Sequence, residues 1–199
     1  EIRKQDHLLH YPYQSYEAVL RFFEQAAHDP RVTHIKITHY RVARQSRIMQ
    51  ALIDAARAGK KVSVFIEVKA RFDEEANLNW GERLEKAGVS VHYSFPGVKV
   101  HAKLGLVRRL EKDGPQNYVY LSTGNFHEDT ARHYVDSTLF TADPRLTAEV
   151  DHIFEYLERA SRMRLLESPA FEHLAVSPFN LRKAFSRLID RETAKRDQG

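Results

Sequence analysis

The sequence predicts an α/β domain with a mixed, largely parallel sheet flanked by helices. Short β-rich stretches alternate with helical stretches of roughly ten to fifteen residues, a pattern typical of parallel strands joined by crossover helices. The stretch 62–68 is almost continuously apolar, as expected for a strand covered on both faces. A turn at 112–114 predicts a hairpin and makes the sheet mixed. The 199 residues, of which 42% are hydrophobic, suffice for one well-buried domain.

The first half of the chain carries start and stop signals for three helices. Ser15 and Ser46 are candidate N-caps, while Asp29-Pro30, Gly59 and Gly88 end the helical patterns. The predicted helices are 15–28, 46–58 and 73–87, and the predicted strands between them are 32–38 and 62–68.

The second half is predicted to be richer in strands and to finish in two helices. Apolar and polar residues alternate over 98–106, which is the pattern of a half-buried strand. Residues 177–180 are expected to cap the final helix, which starts near Leu181. The remaining predictions are strands at 89–93 and 118–121 and a helix at 146–162.

The strand at 98–106 carries the residues that point most clearly to chemistry. His101 and Lys103 are two positions apart, so we expect them to project from one face. The next strand ends in Ser-Thr-Gly-Asn at 122–125, which is expected to bring Asn125 alongside. An imidazole can attack phosphorus and an ammonium can neutralise the transferring group, so the pattern favours phosphoryl chemistry. The alternative is a solvent-facing histidine with no catalytic role.

Two arginines follow predicted strands at their carboxyl ends, where open α/β sheets collect functional groups. Arg41 follows the strand 32–38, and Arg71 follows the strand 62–68. Guanidinium groups match phosphate oxygens in bidentate geometry, so both could hold an anionic group over His101. In the alternative interpretation Arg41 is a solvated loop residue and Arg71 pairs with a neighbouring carboxylate.

Other polar and aromatic residues leave alternatives open. Carboxylates at 67 and 73–75 could bind a hard cation, but acidic residues in a first helical turn are also stabilised by the helix dipole alone. Tyr134 and Phe126 could stack on a nucleotide base or lie in the core.

Composition limits the class of partner. A net charge of +4 and a pI near 9.2 favour an anionic partner, and no apolar run approaches membrane-spanning length. We therefore expect a soluble chain with no integral membrane segment. The first residue is Glu, and the last helix has an apolar face that includes Leu181, Phe185 and Leu188. From these ends we expect a piece excised from a longer protein.

Motifs over nearly the whole chain resemble those of the polyphosphate kinases, which make polyphosphate from ATP. The string Lys-Ala-Arg-Phe-Asp-Glu-Glu at 69–75 is specific by itself. The resemblance implies a phospholipase-D-like α/β fold, with the first of two such catalytic domains at 1–176 and a linker and helix at 177–199 leading into the second. The other matching motifs lie at 8–13, 35–41, 51–56, 59–62, 84–89, 99–103 and 122–126.

The resemblance also implies residue roles. His101 matches the histidine that becomes phosphorylated, with Lys103 and Asn125 as the other catalytic polar residues. Arg41 and Arg71 match a pair assigned to magnesium and phosphate, and Tyr134 matches a nucleotide-contacting tyrosine. Because a guanidinium has no lone pair to donate, we expect both arginines to bind phosphate, with Mg²⁺ reached through phosphate oxygens or water.

The resemblance further implies a reversible transfer of the ATP γ-phosphate to polyphosphate through a phosphohistidine. ATP, ADP and polyphosphate are then the partners, rather than nucleic acid, and Mg²⁺ is the cofactor. The parent enzyme is expected to be a cytoplasmic homo-oligomer, with peripheral membrane association as an alternative, and this chain by itself is expected to be inactive.

Two of the family's motifs read differently in this chain, and two other functions are compatible with its residues. The family's His-His-Pro-Tyr reads His-Tyr-Pro-Tyr at 10–13, and its Thr-Leu-Tyr-Arg reads Thr-His-Tyr-Arg at 38–41. Phospholipases D carry an acidic residue five positions after the lysine, where this chain has Arg108. The rivals are a phospholipase-D-like phosphodiesterase and a polyanion-binding module without activity in isolation.

Overall fold

The computed structural model describes residues 1–41, 43, 45–68, 74–94, 99–160 and 169–196. The described residues contain a seven-stranded sheet in the order β1-β7-β6-β5-β2-β3-β4. The strands are β1 (His7–Tyr11), β2 (Val32–His39), β3 (Lys61–Ile66), β4 (Ser90–Tyr93), β5 (Lys103–Glu111), β6 (Gly114–Ser122) and β7 (Asp136–Thr141). The α-helices are α1 (Glu17–His28), α2 (Arg47–Arg57), α3 (Glu74–Lys86), α4 (Pro144–Ala160) and α5 (Leu181–Ala194).

The sheet is mixed, as predicted, but it is not largely parallel. Strands β2, β3 and β4 pair in parallel, and every other neighbouring pair is antiparallel. Helices α2 and α3 provide the crossovers that parallel strands require. The β5–β6 connection is instead a tight hairpin, and β7 returns antiparallel to β6, so the parallel half ends at β2.

Alternation along the strands divides the apolar side chains between two layers. On one face, Ile35 and Ile37 of β2 pack with Phe23 of α1 and Leu52 of α2 in the larger core. On the other face, apolar residues of β5 and β6 pack against α4. This second cluster contains Leu104, Leu106, Val119, Val150 and Phe154. The sheet therefore has helices on both faces, as predicted.

The local signals for helices were largely correct. The Ser46 hydroxyl accepts a hydrogen bond from the Met49 amide and caps α2 as predicted. The cap of α1 is displaced by one residue, because Tyr16 occupies the N-cap position and the Ser15 hydroxyl accepts from the Glu17 amide. Helix α5 begins at Leu181 as expected, and its apolar residues are exposed, with Phe185 at 55%.

Two differences concern the strands. Strands β1 and β7, which pair with each other, were not predicted. His101 was expected inside a strand, but β5 begins at Lys103 and His101 belongs to the segment before it. Val98 and Asp73, the predicted first residues of a strand and a helix, lie outside the described residues. None of the helices in the described ranges is long and apolar enough to cross a bilayer.

Candidate active site at the edge of the sheet

Strand direction brings the candidate residues to one edge of the sheet. Strands β2 and β3 end at this edge, because they are parallel to each other. Strand β5 runs antiparallel to β2 and therefore begins there, and β6 ends there with Ser122 opposite Lys103. The residues after β2 and β6 and the residues before β5 consequently meet, although they are far apart in sequence. We call this edge the His101 edge.

Lys103 lies directly against His101. Its Nζ is 3.0 Å from each ring nitrogen of His101 and donates to the His101 carbonyl oxygen at 2.6 Å. Lys103 is only 3% exposed, whereas His101 faces solvent. A buried ammonium thus supports an accessible imidazole, which is an arrangement suited to a nucleophile that meets an anionic substrate.

The electrostatic environment keeps the imidazole unprotonated. Partial burial lowers the pKa of His101, and the positive charges of Lys103, Lys99 and Arg41 lower it further. Burial also lowers the pKa of Lys103 to about 8, with Arg41 acting in the same direction and Asp136 opposing both. Because this pKa remains above 7, Lys103 is mostly an ammonium at neutral pH while His101 is neutral.

The Tyr40 ring lies near the cations that surround His101. No role was predicted for it from the sequence. Its ring meets the His101 ring edge to face, with the centroids 4.8 Å apart. The Nζ of Lys103 lies 5.0 Å from the Tyr40 centroid, that of Lys99 5.8 Å, and the Arg41 guanidinium carbon 5.9 Å. An aromatic face attracts cations, so Tyr40 lowers the cost of gathering three positive charges beside one imidazole. A tyrosine directly before Arg41 at a strand end was the available signal.

The turn after β6 is built around Gly124 and Asp136. A Cβ atom on Gly124 would lie 2.6 Å from a carboxylate oxygen of Asp136, so only glycine fits without displacement. The Thr123 hydroxyl donates to Asp136 at 2.7 Å, and the Gly124 amide donates to the Ser122 hydroxyl. The Oδ1 atom of Asn125 is buried without a hydrogen-bond partner in the described part of the chain. Because this atom is closed to solvent, a ligand could reach it only if the side chain or the turn moved.

The other predicted site residues have different outcomes. Arg41 is brought to the His101 edge, as its effects on the pKa values of His101 and Lys103 show. Arg71 lies outside the described residues. Tyr134 is 65% exposed just before β7, with no contact to His101 in the described part of the chain. Phe126 is buried in the larger core and cannot stack on a base, which resolves that alternative.

An apolar cavity of about 590 Å³ adjoins His101. The segment 171–179 closes it on one side, and Asn180 holds this segment by donating to the carbonyls of Phe171 and Leu174. Leu104, Leu121 and helix α4 form the opposite wall. His101 therefore stands between a cationic cluster and an apolar hollow.

Asp73 and the side chain of Glu74, two of the candidate magnesium ligands, lie outside the described residues. No group of three histidine, cysteine, aspartate or glutamate residues capable of holding a metal occurs among them. Glu67, one of the candidate ligands, accepts hydrogen bonds from Ser94 and from the Val100 amide. The side chains gathered around His101 are mainly cationic and suit phosphate oxygens better than a bare divalent ion.

Comparisons with known proteins identify similar chains. Residues 1–163 match the family model for polyphosphate kinase C-terminal domain 1. A polyphosphate kinase of Vibrio vulnificus is 51% identical over 191 residues, covering 96% of this chain and 27% of that protein. The chain thus spans about a quarter of the length of this relative.

Two solved structures are also similar. A polyphosphate kinase from Porphyromonas gingivalis matches with a TM-score of 0.85 and 44% identity, over 100% of this chain and 32% of that one. Nuc of Salmonella typhimurium, a phospholipase D family member, matches with a TM-score of 0.58 and 14% identity, over 78% of this chain and 94% of that one. The second likeness concerns the fold alone, and it confirms the predicted phospholipase-D-like α/β architecture.

Proposed function

Because the chain belongs to the polyphosphate kinase family, we propose that it supplies one half of a site that transfers the γ-phosphate of ATP to polyphosphate and back. The observation that carries this proposal is the neutral, accessible His101 imidazole with the buried Lys103 ammonium 3.0 Å away. Phosphoryl transfer needs an unprotonated nucleophile beside fixed positive charge, and this edge of the sheet provides both.

In the proposed reaction His101 is the nucleophile. A lone pair of its ring attacks the γ-phosphorus, the N–P bond forms, and the bond from phosphorus to ADP breaks with the electron pair leaving on ADP. A terminal phosphate oxygen of polyphosphate then attacks the same phosphorus and releases the histidine. Lys103 and Arg41 neutralise the charge on the transferring oxygens, and Asn125 offers a hydrogen bond to the bound group. The same steps in reverse make ATP.

The nucleotide enters this scheme as its magnesium complex. Mg²⁺ would be held by phosphate oxygens of the nucleotide and by water, and the cationic side chains around His101 would bind the remaining phosphate oxygens. Arg71 is proposed as the second phosphate-binding arginine, from the family resemblance. Tyr134 is proposed to contact the nucleotide, and its exposure leaves its ring accessible.

The direct test is chemical trapping in the full-length protein that carries this chain. Incubation with ATP labelled at the γ-phosphate should give an acid-labile, base-stable phosphohistidine. His101→Gln should abolish the label, whereas His152→Gln, which changes an exposed histidine on α4, should retain it. Label that survives in His101→Gln would contradict the assignment. Cleavage of a phosphodiester without any phosphorylation by ATP would favour the phospholipase-D-like rival.

A further inference from the structure

The segment that carries His101 is held by a threonine from the neighbouring strand β2. The Thr38 hydroxyl donates to the Ala102 carbonyl oxygen at 2.7 Å and accepts from the Leu104 amide at 2.9 Å. Thr38 is 2% exposed, so water does not compete for these bonds. One buried hydroxyl thereby fixes the backbone on the carboxyl side of His101.

A buried glutamate holds the other side of His101. Glu67 follows β3 and is 1% exposed. One of its carboxylate oxygens accepts from the Val100 amide at 2.9 Å, and the other accepts from the Ser94 hydroxyl at 2.9 Å. A buried carboxylate is costly unless it is hydrogen-bonded, and here one of its bonds goes to the backbone next to His101.

The support behind these two side chains is itself hydrogen-bonded. The Asn77 side chain of α3 donates to the backbone carbonyls of Tyr40 and Glu67, at 3.1 and 3.0 Å. The Glu67 amide donates to the His39 carbonyl at 2.9 Å. The ends of β2 and β3 are therefore tied to each other, and Glu67 has a fixed base from which to reach Val100.

We propose that Thr38 and Glu67 are positioning residues that clamp residues 100–102 from both sides and so hold the His101 imidazole against Lys103. The clamp is needed because His101 lies before the first residue of β5, where no strand ladder fixes its backbone. This inference rests on the proposed role of His101 in phosphoryl transfer. It assigns a catalytic contribution to two residues that touch neither the nucleotide nor the phosphate.

The pKa of His101 reports whether the clamp holds the ring in place, because several charged groups surround the ring. Its ring faces Lys99 and Lys103 from its own segment and Tyr40 and Arg41 from the end of β2, with Asp136 of β7 acting on Lys103. These cations lower the pKa of His101 only while the ring stays beside them. Releasing the backbone should move the ring toward solvent, so its pKa should rise toward the ordinary value.

The experiment uses two clamp variants of the full-length protein, each with a matched control. Thr38→Val is paired with Thr33→Val, because the Thr33 hydroxyl also bonds a β5 carbonyl, that of Arg108, at the far end of β2. Glu67→Gln is paired with Glu149→Gln. Glu149 is likewise a buried carboxylate that accepts backbone amides, but it lies on α4 and bonds residues 172–174 rather than the segment that carries His101.

Two measurements are made on each variant. The first is the pKa of His101, from the pH titration of carbon-labelled histidine rings, with the His101 resonance identified by its loss in His101→Gln. The second is the rate of phosphohistidine formation as a function of pH. We expect Thr38→Val and Glu67→Gln to raise the pKa of His101 and to slow phosphorylation by about 10- to 100-fold, while the KM for ATP changes little. Both controls should match the unaltered protein in these measurements.

An unchanged His101 titration in both clamp variants would overturn the proposal, whatever their activity. The proposal would also be overturned if the clamp and control variants lost activity equally and only in proportion to their loss of thermal stability. If the unaltered protein forms no phosphohistidine, the proposed function fails, but the ring titration still decides whether Thr38 and Glu67 position His101.

Discussion

Strands β2 and β5 and the segments beside them carry cations in two regions, which treat these cations differently. In the region farther from the His101 edge, around the middle of the two strands, Lys36 and Arg108 bond the same carboxylate of α4, Asp151, at 3.1 and 2.5 Å, and we call this region the far end. Lys36 also lies 3.5 Å from Glu158. At the His101 edge, Lys99 and Lys103 form no ion pair with any residue that the structure describes.

The far-end cations attach a helix to the sheet, whereas the cations at the His101 edge are suited to binding an anion. The far-end charges are neutralised within the fold and fasten α4 to the sheet. The ammonium groups of Lys99 and Lys103 lie near the face of Tyr40 instead, and neither forms an ion pair within the described part of the chain. Charge of one sign gathered near a nucleophile is a feature of binding sites, since in the free protein it costs stability.

The largest expected effect comes from testing this chain by itself. Because the chain matches only 27% of the length of the Vibrio vulnificus polyphosphate kinase, we expect the isolated chain to bind anions but to synthesise no detectable polyphosphate. Titration with phosphate or short polyphosphate at millimolar concentration should shift the His101 resonances. His34, beside Arg108 and Lys36 at the far end, should not respond. Equal shifts of the His34 and His101 resonances would contradict the difference between the two regions. Robust polyphosphate synthesis by the isolated chain would show that further domains are not needed.

Removing one cation from each end should separate activity from stability. In the full-length protein, Lys103→Met should lower turnover by about 10²- to 10³-fold, because fixed positive charge beside the phosphate is lost. Lys36→Met should leave turnover within about threefold and lower the unfolding free energy, because Asp151 and Glu158 lose a partner. Steady-state kinetics and denaturant unfolding on both variants provide the measurement.

Substituting the arginines should show the same contrast between activity and stability, with a smaller effect on turnover. Arg41→Ala should lower turnover by about 10²-fold with little change in stability, and Arg41→Lys should restore activity only in part because the planar fork is lost. The same result is expected for Arg71→Ala. Arg108→Ala should do the reverse, since its guanidinium bonds Asp151 and Asn117 within the fold. A stability loss large enough to explain the activity loss in Arg41→Ala would contradict its assignment.

A further expected effect is a pH dependence of stability. His39 is buried beneath the site, its Nε2 bonds the Asn77 side-chain oxygen, and burial lowers its pKa to about 4. A folded-state pKa below the ordinary 6.5 means that stability present above pH 6.5 is lost as the pH falls toward 4. The loss should reach about 3 kcal/mol at pH 4.

Denaturant unfolding at pH 7 and pH 4 measures this loss. His39→Leu should remove most of it, because leucine takes up no proton. His152→Gln, at an exposed position, should unfold with the same pH dependence as the unaltered protein. An unchanged acid sensitivity in His39→Leu would show that another group is responsible.

Local signals predicted the helices and the parallel half of the sheet well. Ser46 and the apolar face after it are enough to specify α2, because the cap and the periodicity lie within a few residues of each other. Strand β1 was missed because it is short and its partner β7 lies more than a hundred residues away, whereas β7 was missed although it also pairs with the nearby β6. Pairing over such a separation leaves no signal in either segment alone.

The candidate site was predicted in part, for a similar reason. Residue type and spacing were enough to select His101, Lys103 and Arg41, and the structure brings these three together. Alternation placed His101 inside a strand, because the pattern cannot show where a ladder begins. Thr38 lies in β2, which neighbours β5 in the sheet, and no local pattern shows that its hydroxyl reaches the segment after His101; for Tyr40 the signal was its place directly before Arg41.

The antiparallel β5–β6 hairpin also determines where the chain can change in length. Its turn, between Glu111 and Gly114, lies a full strand away from the paired Lys103 and Ser122, or roughly 27 Å. Residues added at the turn leave the strand register intact, whereas one residue added inside β5 would turn Lys103 to the opposite face. Alignments of relatives should therefore show insertions and deletions at this turn, and a reporter group inserted there should leave phosphate chemistry undisturbed.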